Sequence, residues 1–165
     1  MSTVTAPTKQ LVGYFPSWAI HAQNYHVADI PAGQVSHVIY AFANVTPTGD
    51  CVSVNAEDDK INFAQLRALK QQHPNLQVLI SVGGASHSTN FPAAAANPTI
   101  LGHFVQSCLQ FMKQNGFDGI DIDWEYPVAA QAQNVVALFT ELRRQLDALA
   151  ATDKRPYLLT LGRRR

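Results

Sequence analysis

The sequence has no net charge: twelve Lys and Arg residues are balanced by twelve Asp and Glu over 165 positions, and charged residues make up only 15% of the chain. Without a field of one sign, nothing draws it to a nucleic-acid backbone or an anionic membrane surface, so neutral partners are favoured. Cysteine is scarce. Cys51 and Cys108 form no CxxC pair, which argues against a closed zinc site and predicts two free thiols, Cys108 packed within an apolar helical stripe. No apolar run approaches the roughly 20 residues of a membrane-spanning helix. The N-terminal MSTVTAPTKQ lacks the basic start and continuous apolar stretch of a secretory leader, although a removed leader would leave the same sequence. We therefore expect neither a nucleic-acid nor a membrane partner, and the compartment is not encoded here. There is no internal repeat.

Apolar residues make up 47% of the chain, enough for one core. Five short runs rich in β-branched and aromatic residues predict strands: LVGYFPSW from Leu11, SHVIYAFANV from Ser36, QVLISVGG from Gln77, GIDIDWEY from Gly119 and YLLTL from Tyr157. Three of the intervals carry amphipathic patterns. The clearest opens on Asn97 and Pro98, places Leu101, Phe104, Val105, Cys108, Leu109 and Met112 on one face, and stops at Gly116. A second follows Pro127 through Val135, Leu138, Phe139, Leu142, Leu146 and Leu149, and a weaker one spans 61–73 before Pro74. FPAAAANP, from Phe91, reads as a loop feeding the capped helix. Strands alternating with helices predict an α/β fold of parallel strands joined by crossover helices. The aliphatic stripes are read as helix-on-sheet packing, with no cofactor.

The chemistry concentrates in Asp118-Gly-Ile-Asp-Ile-Asp-Trp-Glu-Tyr-Pro127. From 120 to 125 the pattern alternates, with Ile120, Ile122 and Trp124 on one face and Asp121, Asp123 and Glu125 on the other. Same-face neighbours on a strand lie about 6.5–7 Å apart, so three carboxylates share a small volume and their ionisation is coupled. One of them is then expected to hold a proton near neutrality, as a general acid must. A solvated face of an antiparallel sheet is the bland alternative. It fits poorly in a parallel sheet covered on both sides, where inward acids carry a heavy desolvation cost. A calcium loop is a second alternative. It requires glycine at the sixth position, where Tyr126 stands, so no metal is assigned.

DGIDIDWEYP is similar to the DxxDxDxE signature of glycoside hydrolase family 18, the chitinase family, with Asp118, Asp121, Asp123 and Glu125 at its acidic positions. SVGG from Ser81 resembles the family's third-strand motif, and VGYFPSW and HVIYAFANV resemble its first two strands. The resemblance implies a partial (β/α)8 TIM barrel of about the first five β/α units, ending before strands six to eight; a whole barrel takes about 250 residues. It implies an N-terminal extension over residues 1–10, a partial catalytic barrel over 11–162 and a basic tail over 163–165. Glu125 is then expected to be the proton donor, Asp123 to orient the substrate acetamido group, and Asp121 to share a proton with Asp123. The nucleophile would be the substrate's own acetamido oxygen. Tyr14 and Ser81 are expected beneath the aspartates, Phe42 and Tyr126 beside the sugar, and Gly83 and Gly84 where backbone approaches it. Asp118, Trp18 and Trp124 are read as structural. The implied partner is chitin or a chito-oligosaccharide, and members of the family are often secreted. The family's sixth-strand tyrosine and aspartate and its last-strand tryptophan have no counterpart here, and Ala85 and Ser86 follow the third-strand motif where many members carry tryptophan. Weak or absent activity alone, carbohydrate binding without catalysis, and self-association through unpaired barrel edges are the resulting expectations.

Overall fold

A computed structural model describes residues 9–162; the expected extension lies almost wholly, and the basic tail entirely, outside them. The five expected strands form as β1 (Val12–Pro16), β2 (His37–Val45), β4 (Gln77–Gly83), β5 (Gly119–Asp123) and β6 (Leu158–Leu161). They pair in parallel in the order β1-β2-β4-β5-β6, so neighbours in space are neighbours in the strand–helix succession. The helices are α1 (Ala19–Ala22), α2 (Ala56–Gln72), α3 (Phe91–Ala96), α4 (Pro98–Asn115) and α5 (Ala132–Asp153). This is a partial α/β barrel with β1 and β6 at its open edges.

Four elements differ from the sequence expectation: α1, a single turn, is too short to show a period, and each of the other three has a local reason. A three-residue strand, β3 (Cys51–Ser53), pairs antiparallel with the end of β2, too short to show alternation. FPAAAANP is not a loop but contains α3, a single alanine-rich turn-and-a-half with proline in its first turn, where the missing N–H costs nothing. And α2 starts at Ala56, well before residue 61. Its first turn is polar, so apolar periodicity is silent there, yet Asn55 caps it by accepting from the Asp58 N–H and Glu57, Asp58 and Asp59 sit at its positive end.

One face of the sheet packs on the helices. Tyr40, Ile80, Ile120 and Ile122 from the strands meet Phe63, Phe104, Met112, Leu138 and Leu142, all buried. Asn97 caps α4 by accepting from Thr99 and Ile100, and Gly116 ends it with φ +79°. Cys51 and Cys108 are both free and buried. Within this layer Asp59 accepts hydrogen bonds from Tyr40 (2.5 Å) and Ser53, tying α2 to β2 and β3; burial pushes its carboxyl up.

Asp118 sits just before β5, on the side away from the acidic face. It pairs with Lys70 at 2.6 Å and Arg155 at 3.2 Å, and accepts from the Val78 N–H at 2.9 Å. This clamp locks the starts of β4 and β5 together, the structural role the alternation implied.

Candidate active site

The other face of the sheet carries the acids. Register places Ser81 beside Asp121 and Asp121 beside Thr160, one row across β4, β5 and β6. Asp121 is 1% exposed, a burial that a carboxylate tolerates only when hydrogen-bonded. Three hydroxyls serve it. Ser81 donates to Oδ2 at 2.8 Å, Tyr14 donates to the same oxygen at 3.1 Å from three strands away, and Thr160 donates to Oδ1 at 2.6 Å. Tyr14 and Ser81 thus both reach Asp121. Burial, and then the charge of Asp121, push the Tyr14 phenol well above its ordinary range, so it stays a donor.

Asp123 ends β5, one row further on. Partial burial, then the charges of Glu125 and Asp121, raise its carboxyl from 3.8 to about 6. The coupling expected from the alternation is therefore present, and the group that keeps a proton into the near-neutral range is Asp123. Glu125 follows on the loop beyond the strand. Its backbone N–H donates to Ser88 Oγ at 2.8 Å, and that hydroxyl also lies 2.9 Å from the Gly84 carbonyl and 3.1 Å from the Asp123 carbonyl. Ser88 knots the loop after β4 to the loop after β5 and so fixes where Glu125 starts.

Gly83 and Gly84 are required by this knot. A Cβ on Gly83 (φ +113°) would lie 2.3 Å from the Asp123 carbonyl oxygen, and one on Gly84 (φ +83°) would lie 2.8 Å from the Phe42 ring. The Gly84 N–H donates to that same carbonyl at 2.7 Å. Phe42 itself occupies a register shift in β2, between Ala41 and Ala43, where an extra residue re-aims its side chain.

Other aromatics divide. Trp124 is 5% exposed and stacks on Phe91 at 5.3 Å, a structural residue as read. Trp18 differs from its reading as structural. Its indole is 49% exposed and 6.1 Å from the Phe42 ring, because it follows β1 on the loop rather than facing a helix. Tyr126 is 54% exposed and lines an apolar pocket of about 240 Å³ with Ile122, Trp124, Val135, Phe139 and Leu161, on the side of β5 away from Asp121.

A sequence profile described as Glycosyl hydrolases family 18 matches residues 10–162. The chain belongs to that family. It is 43% identical over 156 residues to Chitinase 1 of Aphanocladium album, a match covering 84% of this chain and 37% of the relative. Against Chitinase A1 of Niallia circulans the identity is 32%, over 95% of this chain and 30% of the relative. Among solved structures, chitinase ChiA74 from Bacillus thuringiensis superposes with a TM-score of 0.88 at 29% identity, over 93% of this chain and 35% of that one. A Cycas revoluta family 18 chitinase solved with (GlcNAc)3 gives 0.83 at 27%, over 93% and 45%. The family 18 chain described here therefore spans 30–45% of the length of these relatives. Its Asp121, Asp123 and Glu125 stand together, with Tyr14 and Ser81 on Asp121. Thr160 and Ser88 are contacts that sequence reading missed. A lone hydroxyl in the aliphatic run YLLTL was a signal for the first; nothing in the loop marked the second.

Proposed function

We propose that this chain is a chitinase-type glycosidase segment, cleaving β-1,4-linked N-acetylglucosamine with retention and with weak or no turnover alone. The supporting observation is the graded acid cluster: a buried Asp121 held by three hydroxyls, an Asp123 raised to about 6, and Glu125 on the adjoining loop. Glu125 gives its proton to the glycosidic oxygen as the substrate's acetamido oxygen attacks the anomeric carbon. The carboxylate left on Glu125 then takes a proton from the water that opens the cyclic intermediate. Asp123, its carboxyl raised to about 6, orients the acetamido group, and the charge of Asp121 is one of the causes that favour a proton on it. Phe42 and Trp18 offer apolar surface to sugar rings, and Gly83 and Gly84 let backbone come close.

A second reading, self-association, is favoured by the open edges of β1 and β6, where Val12 is 48% and Leu161 51% exposed. Turnover of a fluorogenic N,N′-diacetylchitobioside by the folded chain, abolished in Glu125→Gln, supports catalysis. A folded chain that neither turns over nor binds chito-oligosaccharide overturns it. Sedimentation that stays monomeric across concentration removes the second reading.

A further inference from the structure

Thr160 is absent from the family pattern read in the sequence, yet it makes the shortest of the three contacts to Asp121. Its Oγ1 donates to Oδ1 at 2.6 Å, while Ser81 and Tyr14 both donate to Oδ2. The two carboxylate oxygens are thus served from opposite sides, Oδ2 by β1 and β4, Oδ1 by β6 alone. Asp121 is 1% exposed, so water has little access to replace a lost donor. The strand acts on the second aspartate too. Gly162, two residues past Thr160, leaves the space into which Asp123 Oδ1 projects; a Cβ there would lie 2.6 Å from that oxygen.

A hydroxyl donating to Oδ1 stabilises the charged form of Asp121, which can only accept, and that charge is one of the causes that favour a proton on Asp123. Among the described residues, the titratable groups facing the pair are Glu125 and Tyr14, and β4 and β6 bring the Ser81 and Thr160 hydroxyls to it. We propose that Thr160 is a positioning residue: by donating to Asp121 Oδ1 it keeps the negative charge on Asp121 and the shared proton on Asp123, where an acetamido group would meet it. This rests on the reading of Asp123 given above.

The test is a side-chain carboxyl ¹³C titration of the whole chain, comparing the unsubstituted protein with Thr160→Val and Thr160→Ser. Val keeps the shape and removes the donor. The midpoint read at the Asp123 carbon, about 6 in the unsubstituted chain, is expected to fall by about one pH unit as the proton is no longer held away from Asp121, the worth of one charge-assisted hydrogen bond. Ser, which keeps the donor, is expected to titrate like the unsubstituted chain. Unchanged curves in Val, or equal shifts in Val and Ser, overturn the assignment. If Val does not fold, a correlation through the hydrogen bond from the Thr160 hydroxyl proton to the Asp121 carboxyl carbon decides it in the unsubstituted chain, and its absence overturns the role. Neither readout uses turnover. A chain silent on the chitobioside with a shifted Val titration loses the catalytic reading and keeps Thr160; an active chain with an unmoved titration does the reverse.

Discussion

Replacing Asp123 with asparagine tests the electrostatics of the site through stability. In the folded chain Asp123 is raised from 3.8 to about 6 by burial and by Glu125 and Asp121, so the fold disfavours its ionised form. Between those two values the folded state binds more protons than the unfolded state. Stability from this group is therefore fully present below about 3.8 and is lost as pH rises through about 6. The whole shift converts to about 3 kcal/mol, and because Asp123 is only partly buried, solvent screening lowers this to about 1–2 kcal/mol. Asparagine has the same shape and cannot ionise. The stability difference, Asp123→Asn minus the unsubstituted chain, should accordingly climb by about 1–2 kcal/mol between roughly pH 4 and pH 8. Urea unfolding followed by circular dichroism reads this as a midpoint difference growing by about 0.5–1 M. Every other titrating group is common to both chains, so the difference isolates Asp123 and its two acidic neighbours. A difference that is flat with pH, or that falls, would refute a raised Asp123 and with it the proton-sharing that the proposed reaction needs.

Two further outcomes follow from packing. Gly83→Ala puts a Cβ 2.3 Å from the Asp123 carbonyl at a φ of +113°, and should destabilise by about 2–4 kcal/mol, whereas Gly102→Ala in α4 meets nothing within 4 Å and should stabilise by about 0.5–1 kcal/mol; thermal melts of the pair give opposite signs. At the far end of the sheet, Asp118→Ala strands Lys70, Arg155 and the Val78 N–H together and should cost about 3–5 kcal/mol, with Lys70→Met costing less because Arg155 still pairs; equal losses in urea unfolding would mean that Arg155 contributes nothing.

The larger pattern was legible because period and chemistry coincide. In GIDIDWEY the alternation that makes a strand also sorts isoleucine from acid, so the buried Ile120 and Ile122 and the clustered Asp121 and Asp123 could be read from one stretch. The stripe from Leu101 to Met112, with Asn97 before it and Gly116 after, announced α4 in the same way. What was hidden lacks a period. The alanines of α3 have no polar face to alternate with, and β3 has three residues. Thr160 is a different case: its identity was visible, but its importance depends on the register that sets it directly opposite Asp121.

Tyr126 shows how a motif and the structure can pull apart. The family resemblance set it beside the sugar with Glu125. It lines the apolar pocket with Ile122 and Trp124 instead, beyond the end of regular pairing at Asp123. The chain bends at Glu125, so the loop and not the ladder sets which side of β5 Tyr126 occupies. The acids obey the same rule: Asp121 is fixed by direct neighbours in the sheet, whereas Glu125, two residues beyond the last pair, is placed only through its N–H on Ser88. Glu125, the proposed proton donor, is thus held through its backbone by a loop hydroxyl, whereas Asp121 is held through its own carboxylate by three.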